Sequence, residues 1–321
     1  MALLEKEPTR KATSRKIGGD SFLKIVLGVA AAGIVGLLIL LAGELTNSAS
    51  VSLSKFGLSF LWGTKWDPGH NIFGALTFIY GTALTSGLSL LFALPVSIGV
   101  AVFLTEKIHH LSGVGPVIGT LVELLAAVPS VIFGLWALLV LSPAIKMYVE
   151  IPLNRYAGSV PLFACTPFGL DFFTAGLILA IMIIPTITAV TRDVLNAVPN
   201  SQREALYALG ATDWEVIRRS VIPYARSGIF GATILGLGRA VGETMAVTMV
   251  IGNVPKISGC LFSGGYTLSS LLANQFFEAS GPVMTSSLIE IALVLFLLAL
   301  VINIGARALI WRITKGARAR A

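Results

Sequence analysis

The sequence predicts an all-α integral membrane protein with six transmembrane helices. Three observations lead there. Of 321 residues, 55% are hydrophobic and only 12% charged, with a mean hydropathy of +0.86; that is too apolar for a soluble domain, which needs a polar surface. Six apolar runs recur along the chain, each reaching the ~20 residues a helix needs to cross a bilayer. The Lys and Arg residues fall almost wholly between those runs, as unequal retention of positive charge on the two sides of a membrane requires. The formal charge of +7 is therefore topological. The cations form no aromatic-interleaved basic face, which argues against a nucleic-acid partner and leaves membrane lipid as the surroundings.

The runs lie at about 22–43, 73–105, 115–142, 170–191, 228–251 and 284–306. The first follows a Lys- and Arg-rich segment and carries no clear small-residue cleavage site, so it reads as a retained helix and not a signal peptide. The second and third are over-long and contain Pro95 and Pro129. Proline removes a backbone donor, so kinks are expected there, satisfied by neighbouring helices.

Orientation follows from the cations. The N-terminal segment, the 106–114 loop, the 192–227 loop and the C-terminus together hold seventeen of the 23 Lys and Arg residues, the alternate segments hold five, and Arg239 sits inside a run. Both termini are expected to be cytoplasmic. The chain then divides into a cytoplasmic segment 1–21, a first helix with its outer loop 22–72, a membrane domain 73–310 and a basic cytoplasmic tail 311–321. Cys165 and Cys260 fall in the outward loops 143–169 and 252–283. An oxidising compartment would permit a bond between them, but two loops of one bundle often lie too far apart, and unpaired thiols are the preferred expectation. His70, His109 and His110 lie in loops without a metal-ligand companion pattern, so no metal or cofactor is expected on this chain.

The 192–227 segment is the largest inward loop. Ser201 and Gln202 precede a helix-compatible stretch, Arg203 to Leu209, which Gly210 closes as a C-cap. A second stretch follows, with Asp213 placed to cap Trp214 to Val221 and Pro223 placed to end it. Two short helices joined by a turn result. A rigid, capped helix on a short tether can pass a movement onward; the alternative is an ordinary amphipathic loop helix.

Arg239 and Glu243 lie inside the fifth run, four residues apart, so on a continuous helix they share a face. Charge within a span costs at least ~2.5 kcal/mol on insertion scales and faces the bundle interior or a wet pathway. Arginine suits an oxyanion because its planar fork donates two parallel hydrogen bonds, and the glutamate would hold it between transport events. A structural ion pair fixing helix rotation is the alternative. Glu123, Glu290 and Asn303 read as packing or interfacial residues.

Glu204-Ala205, with Gly210 six positions after the glutamate and Pro223 nineteen after it, resembles the EAA loop of permease subunits of ATP-binding-cassette importers. The departures are Leu206, Ser220 and Ile222. Leu94 to Glu106, Glu123 to Gly134 and Gly238 to Val247 extend the resemblance over nearly the whole chain. The last stretch reads GETMA where molybdate and sulfate permeases carry GEFGA, so the resemblance is to phosphate-importer permeases. It implies a type I importer permease fold, one peripheral helix around a five-helix core, in a bacterial inner membrane. It also implies coupling to a cytoplasmic ATPase through Glu204, Ala205, Gly210 and Pro223, and a phosphate pathway at Arg239 and Glu243. The implied partners are a second, related permease, two copies of a cytoplasmic ATP-binding subunit and a periplasmic phosphate-binding protein. The chain carries no GxxxxGK[ST] phosphate loop, so ATP is expected on the partner and no enzyme activity here. The alternatives are a permease for another oxyanion, an ion-gradient-driven carrier, which would show internal repeats, and a purely structural or regulatory subunit.

Overall fold

The computed structural model describes residues 18–107 and 114–318. The expectations placed on residues 1–17, on His109 and His110 and on the last three residues of the tail lie outside them. The described residues divide into two units between Asn47 and Ser48. In the first, helix α1 (Gly18–Ser48) is 31 residues long, ~46 Å at 1.5 Å per residue. It exposes Leu37, Ile39 and Leu40, the surface of a helix made to face hydrocarbon.

The second unit is built from helices α2 (Ser50–Phe56), α3 (Leu76–Glu106), α4 (Val114–Ala127), α5 (Ser130–Ala157), α6 (Phe172–Asn196) and α7 (Asn200–Ala208). After them come α8 (213–242), α9 (Met245–Val250), α10 (Leu268–Gln275) and α11 (Pro282–Arg318). Apart from one isolated bridge between Asp67 and Ile72, all regular structure among the described residues is helical. Small side chains let α3, α6 and α8 approach closely: Ala93, Ala180, Ala232 and Ala240 form one buried cluster with Ile183 and Ile187. A Cβ added at Gly236 would lie 2.6 Å from the Ile187 side chain. Lipid removes the hydrophobic drive between helices, so such close packing is what holds them together. Two buried hydroxyls are satisfied within α3 itself, Thr82 and Thr85 donating to the carbonyls of Phe78 and Gly81.

Among the described residues, five helices are long and apolar enough to cross a membrane, spanning 22–48, 76–106, 130–157, 172–196 and 282–308. Two of the expected spans are corrected. The third, 115–142, is divided: α4 ends at Ala127, Pro129 is extended (φ −59°, ψ 138°), and α5 then runs on to Ala157, through much of the expected outer loop. The fifth, 228–251, is broken after Gly242, and α9 begins at Met245.

Three of the prolines explain why long helices survive them. Pro143, Pro152 and Pro223 each follow a π turn by two residues: Ala137–Leu141, Lys146–Glu150 and Ile217–Val221. A proline ring collides with the carbonyl four residues back, which in each case lies inside the π turn, where the wider i→i+5 pattern relieves it. Pro223 therefore does not end a short helix as expected; 213–242 is continuous across it. Pro95 is likewise carried inside α3.

The cysteines also depart from expectation. Asn154 donates from Nδ2 to the carbonyls of Phe163 and Cys165, and the Leu261 N–H donates to Leu162. The two loops thus run side by side, and Cys165 and Cys260 are bonded with Cα atoms 6.1 Å apart, within the range a disulfide spans.

Candidate functional site

The break in the fifth apolar run places its two charges differently from a helical pair. Arg239 lies in the last turn of α8, a favourable position for a cation at the negative end of the helix dipole. The helix ends at Gly242, and Glu243 is extended at φ −69°, ψ 129°. Glu243 therefore leaves the helical face that Arg239 occupies, and no ion pair forms between them among the described residues. Instead, Arg239 Nη1 donates to Thr186 Oγ1 on α6 at 2.9 Å. The Glu243 carbonyl accepts from Ser269 Oγ at 2.7 Å, and its carboxylate lies 3.5 Å from the Ala246 N–H at the start of α9. Both side chains are half-buried. An interrupted helix at membrane depth is tolerated where it lines a cavity or is enclosed by protein. Arg239 spends one donor on Thr186, and among the described residues the rest of its fork makes no further hydrogen bond.

The 192–227 loop, expected to face inward, is built as an exposed hairpin. Helix α7 starts at Asn200, three residues before the expected Arg203. It closes on Gly210 as expected: Gly210 has φ +81°, its N–H donates to Tyr207 at 2.9 Å, and the Ala211 N–H donates to Leu206 at 3.1 Å. Those two bonds make a Schellman cap, whose left-handed residue is usually glycine and sometimes asparagine. Helix α8 is capped by Thr212, one residue before the expected Asp213, in a reciprocal box with Glu215. That hydrogen bond from the Thr212 N–H holds the Glu215 carboxyl below its usual range. Glu204, Ala205, Tyr207, Leu209, Trp214 and Pro223 are all exposed, Leu209 at 82%. Leu206 turns the other way, packing with Val198 and Val216 against the bundle.

Sequence reading missed three polar clusters. Glu123 on α4 pairs with Arg192 of α6 at 2.9 Å, so it joins two helices. Arg203 meets Glu106 at 2.7 Å. Glu150, fully buried, accepts from the Gly169 N–H at 3.0 Å and from Thr174 Oγ1 at 3.5 Å, beside the buried Asp171 that caps α6. The partners stand 19 to 97 residues apart, beyond any local pattern; the one available signal was charged residues at the ends of apolar runs. Asn303 bonds its own helix at Ala299, as an interfacial residue does, and Glu290 is buried in α11 with Oε2 unpartnered.

Membrane-length helices, with a broken helix beside a half-buried arginine and a capped, exposed hairpin between helices, describe a multi-pass membrane protein. Residues 93–315 match the family described as binding-protein-dependent transport system inner membrane component. The chain is 46% identical over 268 residues to the phosphate transport system permease protein PstC of Pasteurella multocida, covering 82% of this chain and 83% of that one. It is 44% identical over 310 residues to PstC of Mesorhizobium japonicum, covering 95% and 94%. With PstC 2 of Mycobacterium tuberculosis the identity is 39% over 299 residues, 91% of each chain. Among solved structures, the MetNI methionine ABC transporter in an inward-facing conformation matches with a TM-score of 0.51 at 16% identity, covering 74% of this chain and 95% of that one; this is a likeness of fold alone. The chain belongs to the binding-protein-dependent transport inner membrane components, in the family of the PstC phosphate transport permeases.

Proposed function

We propose that this chain is one permease subunit of an ATP-driven phosphate importer in the bacterial inner membrane. The observation that carries the reading is its identity with phosphate transport permeases over nearly its full length. Arg239 is the anion contact of the pathway. Its fork offers parallel donors to an oxyanion, while Glu243, held across the helix break, offsets the charge without quenching it. Glu204, Ala205, the Gly210 cap and Pro223, exposed on α8, form the face that docks on the ATPase. ATP is bound and hydrolysed by that partner; this chain performs no reaction and carries no cofactor.

Its partners are a second permease (PstA-like), two ATP-binding subunits (PstB-like) and a periplasmic phosphate-binding protein (PstS-like), surrounded by membrane lipid. Both termini and the α7 hairpin face the cytoplasm, which places the disulfide in the periplasm, where a bond persists. ATP binding closes the ATPases, the docking face moves, the pathway opens outward to receive phosphate, and hydrolysis resets it. The test is uptake of labelled phosphate by cells lacking the gene, with and without the native chain and with the partner subunits present. Restored uptake at low phosphate supports the reading. Uptake that is indifferent to the chain contradicts it.

A further inference from the structure

Arg203 stands beside the docking residues in sequence but points the other way. Its side chain is only 17% exposed, while Glu204 and Ala205 face solvent. The guanidinium has five N–H donors, and all are used. Nε and one Nη2 hydrogen reach the Glu106 carboxylate, at 3.2–3.3 Å and 2.7 Å. Nη2 also donates to the Leu195 carbonyl at 3.1 Å, and Nη1 to the Val198 carbonyl at 2.7 Å and to Asn200 Oδ1 at 3.4 Å. Leu195 lies in the last turn of α6 and Val198 two residues past its end, where carbonyls lack the i+4 partner of a continuing helix. Glu106, itself 10% exposed, sits in the π turn Phe103–Lys107 that finishes α3. One side chain thus binds α7 to the inner ends of α3 and α6.

A bidentate, nearly buried ion pair with every donor filled is stiff, and it fails as a unit when one partner is removed. A polar cleft of about 260 Å³ opens beside it, lined by Thr105, Glu106, Asn196, Asn200 and Arg203. Helix α3 runs from this joint through the Ala93 and Ser97 contacts to α6, where Ser97 Oγ donates to the Ile184 carbonyl at 3.3 Å. Thr186, the partner of Arg239, is two residues further along α6.

We propose that Arg203 and Glu106 are positioning residues that convert movement of the docking helix into movement of α3. The inference rests on the importer reading above. Glu106→Ala cuts the link to α3 while leaving the bonds from Arg203 to α6 in place, so it isolates transmission from anchoring of the hairpin. The experiment uses the complete transporter in proteoliposomes and measures co-purification of the subunits, ATP hydrolysis and phosphate uptake. Glu106→Ala, Arg203→Met and the double variant are compared with native.

All three are expected to assemble and hydrolyse ATP, with uptake per ATP lowered roughly tenfold or more. The double variant is expected to be no worse than the weaker single, because the two residues act as one joint. Where Glu106→Ala does not assemble, Glu106→Gln, which keeps the shape and removes the charge, takes its place and shows a smaller loss in the same direction. Unchanged uptake per ATP in assembled Glu106 variants, or losses that multiply in the double variant, would overturn the joint while leaving the importer reading intact. A native complex that imports no phosphate would overturn the importer reading, and the joint with it.

Discussion

Gly210→Val isolates the stiffness of the docking face. Gly210 holds φ +81° and supports two cap bonds, from its own N–H to Tyr207 at 2.9 Å and from the Ala211 N–H to Leu206 at 3.1 Å. A Cβ at this position meets nothing within 4 Å, so the substitution brings no clash and its cost is that of the backbone alone. The left-handed conformation costs an ordinary L residue about 1–2 kcal/mol, and a β-branched one sits at the upper end. That lowers the population of the capped hairpin by about 5- to 30-fold relative to its frayed form. Gly210→Asn is the control, since asparagine tolerates the same conformation. In reconstituted transporter, uptake per ATP should fall several-fold for valine and stay near native for asparagine. Equal coupling in native and valine complexes would refute the argument that a rigid cap is what transmits force.

Three further outcomes follow from the site. Arg239→Lys keeps the charge but loses the fork, so phosphate uptake should fall at least tenfold while the complex still co-purifies; Thr186→Val, which removes one hydrogen bond worth about 1 kcal/mol, should cost only several-fold. Cys165→Ser removes a bond that closes a 95-residue separation and should lower stability by about 2–4 kcal/mol. Alkylation mass shifts only after reduction, together with a lower melting temperature under reductant, check it, and free thiols in the native protein would contradict it. Glu150→Gln should leave thermal stability in detergent near native, because it keeps an acceptor for the Gly169 N–H and adds a donor beside Asp171, whose Oδ2 has no partner. Glu150→Ala orphans a buried N–H and should cost about 1–3 kcal/mol; equal losses for both variants would contradict this.

The helices were legible because span length, hydropathy and cation placement are properties of contiguous residues. Gly210 was legible for a related reason: a Schellman cap is encoded within six residues of chain. The break at Glu243 was not, although Gly242 marks it. Whether a helix continues past a glycine was decided by Ser269, 26 residues away, which takes the Glu243 carbonyl. Pro223 was misread because its cost depends on the turn before it, and the π turn at 217–221 absorbs the collision. The disulfide and the Arg203–Glu106 joint depend on pairings across 95 and 97 residues, where composition gives no distance. The Arg239–Glu243 helical pair rested on local geometry that tertiary bonds override, and the unpaired thiols on an expected separation between two loops that the fold instead brings side by side.

The most direct measurement is phosphate uptake by the complete transporter in proteoliposomes supplied with the phosphate-binding protein, with ATP present or absent on the ATPase side, challenged by excess sulfate or molybdate. The account predicts uptake that requires ATP, resists both competitors and collapses in Arg239→Gln although the complex assembles. Uptake that proceeds without ATP, or that sulfate or molybdate abolishes, would contradict it.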